Sequence, residues 1–280
     1  MEIFKTNKNI KELNLAVISD IHYYDNFNQK TFDTIINQIK EKKPDYTCIV
    51  GDILDDSSCE NLEKLENFLT ILSNITPIIA VIGNHDEKTG SMWKWKNKKN
   101  KKLLTILKSN KNIHFLEDET YTKDNITFYG FNPSYYYYEK AKEKYEVFEK
   151  EANELKSNLQ KNTYNITLIH TPINIYTFIK NNPKHFLNNT DLILSGHMHN
   201  GCLPSFITKP INKLFKTTRS IIAPKKTLFP KYAQGRVHKI KDGYIYEGIT
   251  KLANSTKGFH KFNSLYKTQV KFIKIKSTKN

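Results

Sequence analysis

Arginine is nearly missing from this 280-residue chain, with Arg219 and Arg236 the only two. The net charge is nonetheless +16, so almost all of the positive charge is lysine. Arginine is the residue favoured for bidentate phosphate recognition. Its scarcity argues against reading the basic charge as a dedicated nucleic-acid surface. Lysine together with abundant asparagine is what an AT-rich genome produces, and composition drift is the preferred reading. A basic field still draws anionic substrates. Cysteine is also sparse: Cys48, Cys59 and Cys202 are odd in number and scattered. That excludes a disulfide framework and fits a reducing compartment. No apolar stretch reaches about 18 residues, which argues against a transmembrane helix. Residues 1–14 are polar and carry no apolar core of a secretory signal. These absences together point to a cytoplasmic protein.

What is there is a set of short apolar runs, enough for a packed core despite a mean hydropathy of −0.60. Residues 15–18 (Leu-Ala-Val-Ile) form a continuous apolar run, the pattern of a strand buried on both faces. Residues 31–42 place Phe32, Ile35, Ile36 and Ile39 on one helical face, and Pro44 stops them. Residues 46–50 read as a second strand, 61–72 as a helix with Leu62, Leu65, Phe68, Leu69 and Leu72 inward, and 78–82 as a third strand. This β-α-β-α-β alternation predicts parallel strands with right-handed crossovers. Further along, 103–107 continue a helix, and 113–116, 121–122 and 126–131 read as short strands. A long charged helix is expected over 139–160 and another over 174–181, between buried strands at 166–169 and 192–194. Residues 201–235 are punctuated by Pro204, Pro210, Pro224 and Pro230 and read as an ordered loop region. Residues 234–240 and 244–249 are expected to pair across Asp242 and Gly243 as a hairpin. Residues 268–275 read as a last strand. Neither an internal repeat nor a linker stands out, so residues 1–280 are read as a single domain with two sheets packed face to face.

The chemistry sits where the strands end. Asp20-Ile21-His22, Gly51-Asp52, Gly83-Asn84-His85-Asp86, His170 and Gly196-His197-Met198-His199 each follow an apolar run, in that order. Open α/β sheets bind ligands at the carboxyl ends of their parallel strands, so these side chains converge in one cleft. Taken singly, each has a structural explanation. Asp-x-His can cap a loop, Gly-Asn-His-Asp can be a turn, and a lone histidine at a strand end is usually structural. Five together, in this order, are hard to obtain by chance. Asp, His and Asn suit hard or borderline divalent metals, and the absence of cysteine disfavours a thiolate site. Two metals need a bridging ligand, and a carboxylate with two oxygens makes Asp52 the natural one.

With these motifs the chain resembles the calcineurin-like metallophosphoesterases over residues 15–200. It is similar in particular to the compact bacterial branch that includes enzymes cleaving lipid-linked or nucleotide phosphoesters. The resemblance implies a four-layer α/β/β/α sandwich with two facing mixed sheets and the metal site at the strand C-terminal ends. It implies that Asp20, His22, Asp52 and His199 hold one metal, and that Asp52, Asn84, His170 and His197 hold the other. His85 would stabilise the phosphate or protonate the leaving oxygen, with Asp86 orienting it. The implied activity is hydrolysis of a phosphomonoester or phosphodiester by a hydroxide bridging two divalent ions, Mn first, with Fe or Zn as alternatives. A nuclease using the same site and a non-catalytic metal-binding scaffold are the rival readings. The expected partner is a small anionic phosphoester, with nucleic acid less favoured. Trp93, Trp95 and the lysines of 96–102 leave room for peripheral membrane contact. After His199 the chain runs Asn200-Gly201-Cys202, where many relatives carry Gly and Gln, so the pocket wall is expected to differ. The oligomeric state is left open.

Overall fold

Both faces of the central strands are buried, and this decides the architecture. In the structure, a computed structural model, β2 (Leu13–Ile18), β3 (Tyr46–Val50) and β4 (Ile78–Val81) alternate between two apolar clusters. Ala16, Ile18, Ile49, Ile78 and Ala80 face one, and Leu15, Val17, Cys48, Val50, Ile79 and Val81 face the other. A strand whose two faces both lie in core reads as an unbroken apolar run. The structure describes residues 1–91, 94–132, 159, 161–170, 190–197, 199, 205–214, 236–240, 243–247 and 270–279.

The first sheet has six strands in the order β1-β14-β2-β3-β4-β7, with β1 at Glu2–Thr6, β7 at Ile113–Phe115 and β14 at Lys271–Ser277. β2, β3, β4 and β7 run parallel, and β14 pairs antiparallel with β2. On its outer face lie α1 (Gln29–Lys42), α2 (Glu63–Ile75) and α3 (Lys101–Ser109). They bury Phe32, Ile35, Leu65, Phe68, Leu69 and Leu107 against it. Asn28 caps α1 by accepting from Lys30 N–H, and Lys43 ends it at φ 46°, just before Pro44. Asn100 caps α3 through Leu103 N–H at 2.8 Å.

The second sheet also has six strands, in the order β12-β13-β11-β10-β9-β8. Its parallel centre is β9 (Ile126–Gly130), β10 (Tyr164–Ile169), β11 (Leu192–Ser195) and β13 (Gly243–Glu247). β8 (Thr120–Lys123) and β12 (Arg236–Ile240) flank it antiparallel. Phe128, Ile166, Leu168, Leu192 and Leu194 share one cluster with Leu15, Val17, Cys48, Val50 and Val81. The two sheets therefore face each other across a common core.

Three elements depart from the sequence expectation. Residues 1–14 hold a strand: β1 pairs in parallel with β14 and buries Phe4. A two-stranded ribbon, β5 (Lys88–Ser91) and β6 (Lys94–Asn97), follows the third motif. Both were hidden because their sequences are mostly polar. Within the region read as loop, Ser205–Leu214 is a helix, α4, with Pro210 inside it. Proline removes one donor and kinks a helix without always ending it, so punctuation alone misled. The expected helices at 139–160 and 174–181 and the remainder of 201–235 lie outside the described residues, as do Trp93 and Cys202. Among the described residues no helix is long and apolar enough to cross a membrane.

Candidate metal centre

The five motifs meet at one end of the facing sheets. Asp20 and His22 follow β2, Asp52 follows β3, Asn84 and His85 follow β4, His170 follows β10, and His197 and His199 follow β11. Asp20, His22, Asp52, Asn84, His85, Asp86, His170 and His199 are all buried. Their ligand atoms form three overlapping groups, each within 4.8 Å: Asp20, His22 and His199; His22, Asp52 and His85; Asp52, His170 and His197. Ring contacts follow the same partition. His22 lies 4.6 Å from His85 and stacks on His199 at 4.8 Å, whereas His170 meets His197 edge-on at 5.2 Å. Asp52 stands between the two sides. Its Oδ2 is 3.7 Å from His22 Nε2 and 3.1 Å from His170 Nε2, while Oδ1 accepts from His85 N–H at 2.8 Å.

The backbone explains how short loops aim so many groups inward. Asp20, His22, Asp52, His197 and His199 all have φ between 46° and 68°, the left-handed region. Asp, Asn and His are the non-glycine residues most at home there, so the ligand types also suit the backbone. At Gly83 a Cβ would collide with the backbone N and carboxylate of Asp52 and stand 2.8 Å from the His170 ring. Only glycine lets the third motif approach the second so closely.

A shell of hydrogen bonds fixes each ring. His22 Nδ1 is 3.1 Å from Asp55 Oδ1, which leaves Nε2 facing Asp52. His170 Nδ1 donates to the Val50 carbonyl at 2.8 Å, which leaves its Nε2 for Asp52. His85 Nδ1 donates to the Asp55 carbonyl at 2.7 Å. The family resemblance implies that Asp86 orients His85, but Asp86 spends its carboxylate otherwise. It accepts from Ile53, Leu54 and Gly83 N–H at 3.2, 2.7 and 2.8 Å, tying the β3 loop to the β4 loop. Asp55, three residues after Asp52, thus holds both His22 and His85. Sequence reasoning missed it, because a partner that orients a ligand ring is recognised by what it touches and not by its position in the chain. Ser19 was missed as well: its Oγ donates to Asp20 Oδ2 at 2.5 Å and lies 3.0 Å from the Val50 carbonyl.

Charge is unevenly shared. Burial and the neighbouring Asp52 raise Asp20 to about 6, against the pull of His170 and His22. Burial also pushes Asp52 up, yet the nearby His170, His85 and His22 hold it well below the usual carboxylate range. His170 is pushed down by burial and then raised to about 9 by Asp52. Burial carries His85 down to about 4. Such a cluster of buried acids and imidazoles is short of positive charge. His22 Nε2 and Asn84 Oδ1 are buried with no hydrogen-bond partner. Buried lone pairs left without a hydrogen bond, in a protein that also clusters imidazole and carboxylate ligand atoms, fit divalent cations. Of the other described histidines, His114 on β7 stacks on Tyr121 of β8, and His238 belongs to β12.

The calcineurin-like phosphoesterase profile matches residues 13–201, which contain every motif residue. An uncharacterized metallophosphoesterase of Campylobacter jejuni is 24% identical over 200 residues, 70% of this chain and 46% of that protein. An uncharacterized metallophosphoesterase of Helicobacter pylori is 27% identical over 194 residues, 68% and 45% of the two chains. The chain thus spans about half the length of these curated relatives. Among solved structures, the phosphopantetheinyl hydrolase of Mycobacterium tuberculosis aligns at TM-score 0.48 and 11% identity, covering 93% of this chain and 95% of that one. Because the profile spans well over half of its length, this chain belongs to the calcineurin-like phosphoesterase family.

Proposed function

We propose that the protein is a metal-dependent hydrolase of phosphoester bonds with a dinuclear centre. The observation that carries this reading is Asp52, which belongs to two ligand groups at once and presents a carboxylate between them. Asp20, His22, Asp52 and His199 would hold one divalent ion, and Asp52, Asn84, His170 and His197 the other. Bound there, two such ions supply an activated water and neutralise charge on the phosphoryl group. The protein's own residues do the rest. The Asp55 carbonyl accepts a hydrogen bond from His85 Nδ1, so Nε2 is the atom left to face the phosphoryl or leaving oxygen, and it passes a proton there only from the imidazolium form of the ring. Asp86 fixes the two loops that carry Asp52 and His85 relative to each other. The substrate is a phosphomonoester or phosphodiester, and Mn is the first metal to test, then Fe and Zn. Around the site we read one domain arranged as a four-layer α/β/β/α sandwich. Cys48, buried and unpaired with sulfur, and Cys59 support a reducing, cytoplasmic setting.

The test is hydrolysis of p-nitrophenyl phosphate and bis(p-nitrophenyl) phosphate by metal-stripped protein, with and without added Mn. Turnover should return with Mn and vanish in Asp52→Asn together with metal binding. His85→Ala should slow turnover by about a hundredfold or more while both metals stay bound. Protein that binds no divalent ion would overturn the reading.

A further inference from the structure

We infer that α4 (Ser205–Leu214) is an interfacial helix that docks the protein on an anionic lipid surface. No residue of the metal centre belongs to this surface, so it stands or falls apart from the hydrolase reading. A helix on the outside of a soluble protein ordinarily turns its polar face to water. α4 does the reverse. Phe206 is 76% exposed and Leu214 77%, and Pro210 between them is exposed as well. Positions i, i+4 and i+8 lie along one side of a helix, so these three form a single outward apolar ridge, about 12 Å long. Ile207 and Ile211 are half-buried and flank the ridge on one side. Lys209 and Lys213, each three residues after a member of the ridge and both exposed, flank it on the other. An apolar ridge edged by lysines is the arrangement of helices that lie in a membrane interface. The ring and aliphatic chains enter the headgroup boundary while the ammonium groups meet lipid phosphates.

The sequence around α4 states the sign of the partner. Residues 192–241 contain eight lysines, both arginines of the chain and not one Asp or Glu, although the whole chain has 28 acidic residues. Drift toward lysine raises its count everywhere. It does not clear one stretch of acids or gather both arginines there. A stretch of one charge sign seeks an anionic polymer or an anionic surface. Nucleic acid offers phosphate and sugar to such a helix, which pairs the lysines and leaves Pro210 and Leu214 in water. An anionic bilayer satisfies both the ridge and its lysines, and the cytoplasmic leaflet carries such a surface. Ser205 follows His199 by six residues, a span of about 20 Å at most. Docking through α4 therefore holds the metal centre near the headgroup layer.

Co-sedimentation of the 280-residue protein with vesicles tests this. Vesicles of phosphatidylcholine mixed with phosphatidylglycerol should bind at least about tenfold more tightly than vesicles of phosphatidylcholine alone. Phe206→Gln together with Leu214→Gln keeps every charge. It should weaken binding to the mixed vesicles about a hundredfold with the melting temperature unchanged, since both side chains are exposed. Lys209→Gln with Lys213→Gln should weaken it about tenfold and narrow the preference for anionic lipid. Phe206→Trp should bind as well as the wild type. Undiminished vesicle binding after removal of Phe206 and Leu214 would overturn the assignment and leave only the general attraction of a basic protein. A dimer in sedimentation velocity, or duplex DNA binding, that disappears in the same double variant while vesicle binding persists would overturn it in favour of a second copy or of nucleic acid. Vesicle binding that depends on α4 in a protein that takes up no divalent ion would uphold this surface and overturn the hydrolase reading alone.

Discussion

The two sheets supply the centre in different ways. The loops after β2, β3 and β4 contribute every carboxylate, and they brace one another. Asp20 N–H donates to Gly51 O, His22 N–H to Asp52 O and Tyr23 N–H to Ile53 O, while Asp86 gathers three further N–H groups. Among the described residues, those after β10 and β11 contribute imidazoles; Gly196 N–H donates to His170 O at 3.0 Å within that half, and further ties run back to the first half. His170 donates to Val50 O, and His197 N–H meets both oxygens of Asp20 at 3.0 and 3.1 Å. Among the described residues the first half is thus the more heavily braced frame, and the second is tied onto it. Anionic ligands repel one another when metal is absent and need a rigid frame; imidazoles do not.

If this asymmetry is right, Asp86→Ala is the most damaging change that touches no metal ligand. It strands three buried N–H groups, each worth roughly 1–3 kcal/mol when left unsatisfied. The carboxylate is itself strained, because burial and Asp52 raise it to about 7, so the net loss should be about 3 kcal/mol. A melting temperature roughly 10 °C lower in the metal-free protein is the expected reading, by calorimetry. Gly83→Ala comes next. Its Cβ would displace Asp52, costing about 2 kcal/mol of stability and weakening both metals together, as titration of metal-stripped protein would show.

A docked ligand behaves differently. His199 stacks on His22 and stands 3.7 Å from Asp20, contacts of an imidazole ring with two ligands and not with the backbone that braces their loops. His199→Ala should leave metal-free stability within about 1 kcal/mol and reduce bound metal from about two ions to about one by elemental analysis. A large fall in melting temperature there would erase the distinction between frame and dock.

The sequence made the frame more legible than its bracing. Strands buried on both faces announce themselves, so β2, β3, β4, β10 and β11 were readable, and their ends located the candidate ligands. β1 and the β5–β6 ribbon were not, because edge and surface strands carry polar residues with little period-2 signal. Nor was the left-handed backbone at Asp20, His22, Asp52, His197 and His199. Asp and His tolerate that region without requiring it, so nothing in the one-letter string distinguishes a strained ligand from a relaxed one. Asp55 and Ser19 escaped for a related reason: a supporting side chain is recognised by what it touches.

Ser19→Ala should have the smallest effect and gives the sharpest test of which half controls Asp20. That carboxylate receives one donor from each side, Ser19 Oγ from the first sheet and His197 N–H from the second. Ser19 fits there because Gly196 presents no Cβ, which would overlap its hydroxyl. Removing the hydroxyl costs about 1 kcal/mol and leaves only the donor from the docked half. Affinity for the ion at Asp20 should then fall up to about tenfold, with the other ion unchanged and melting temperature nearly constant, as read by competitive metal titration. A full loss of that ion would make the first sheet the sole custodian of Asp20. No change would mean that the His197 amide alone aims the carboxylate, and the second sheet would then be part of the frame.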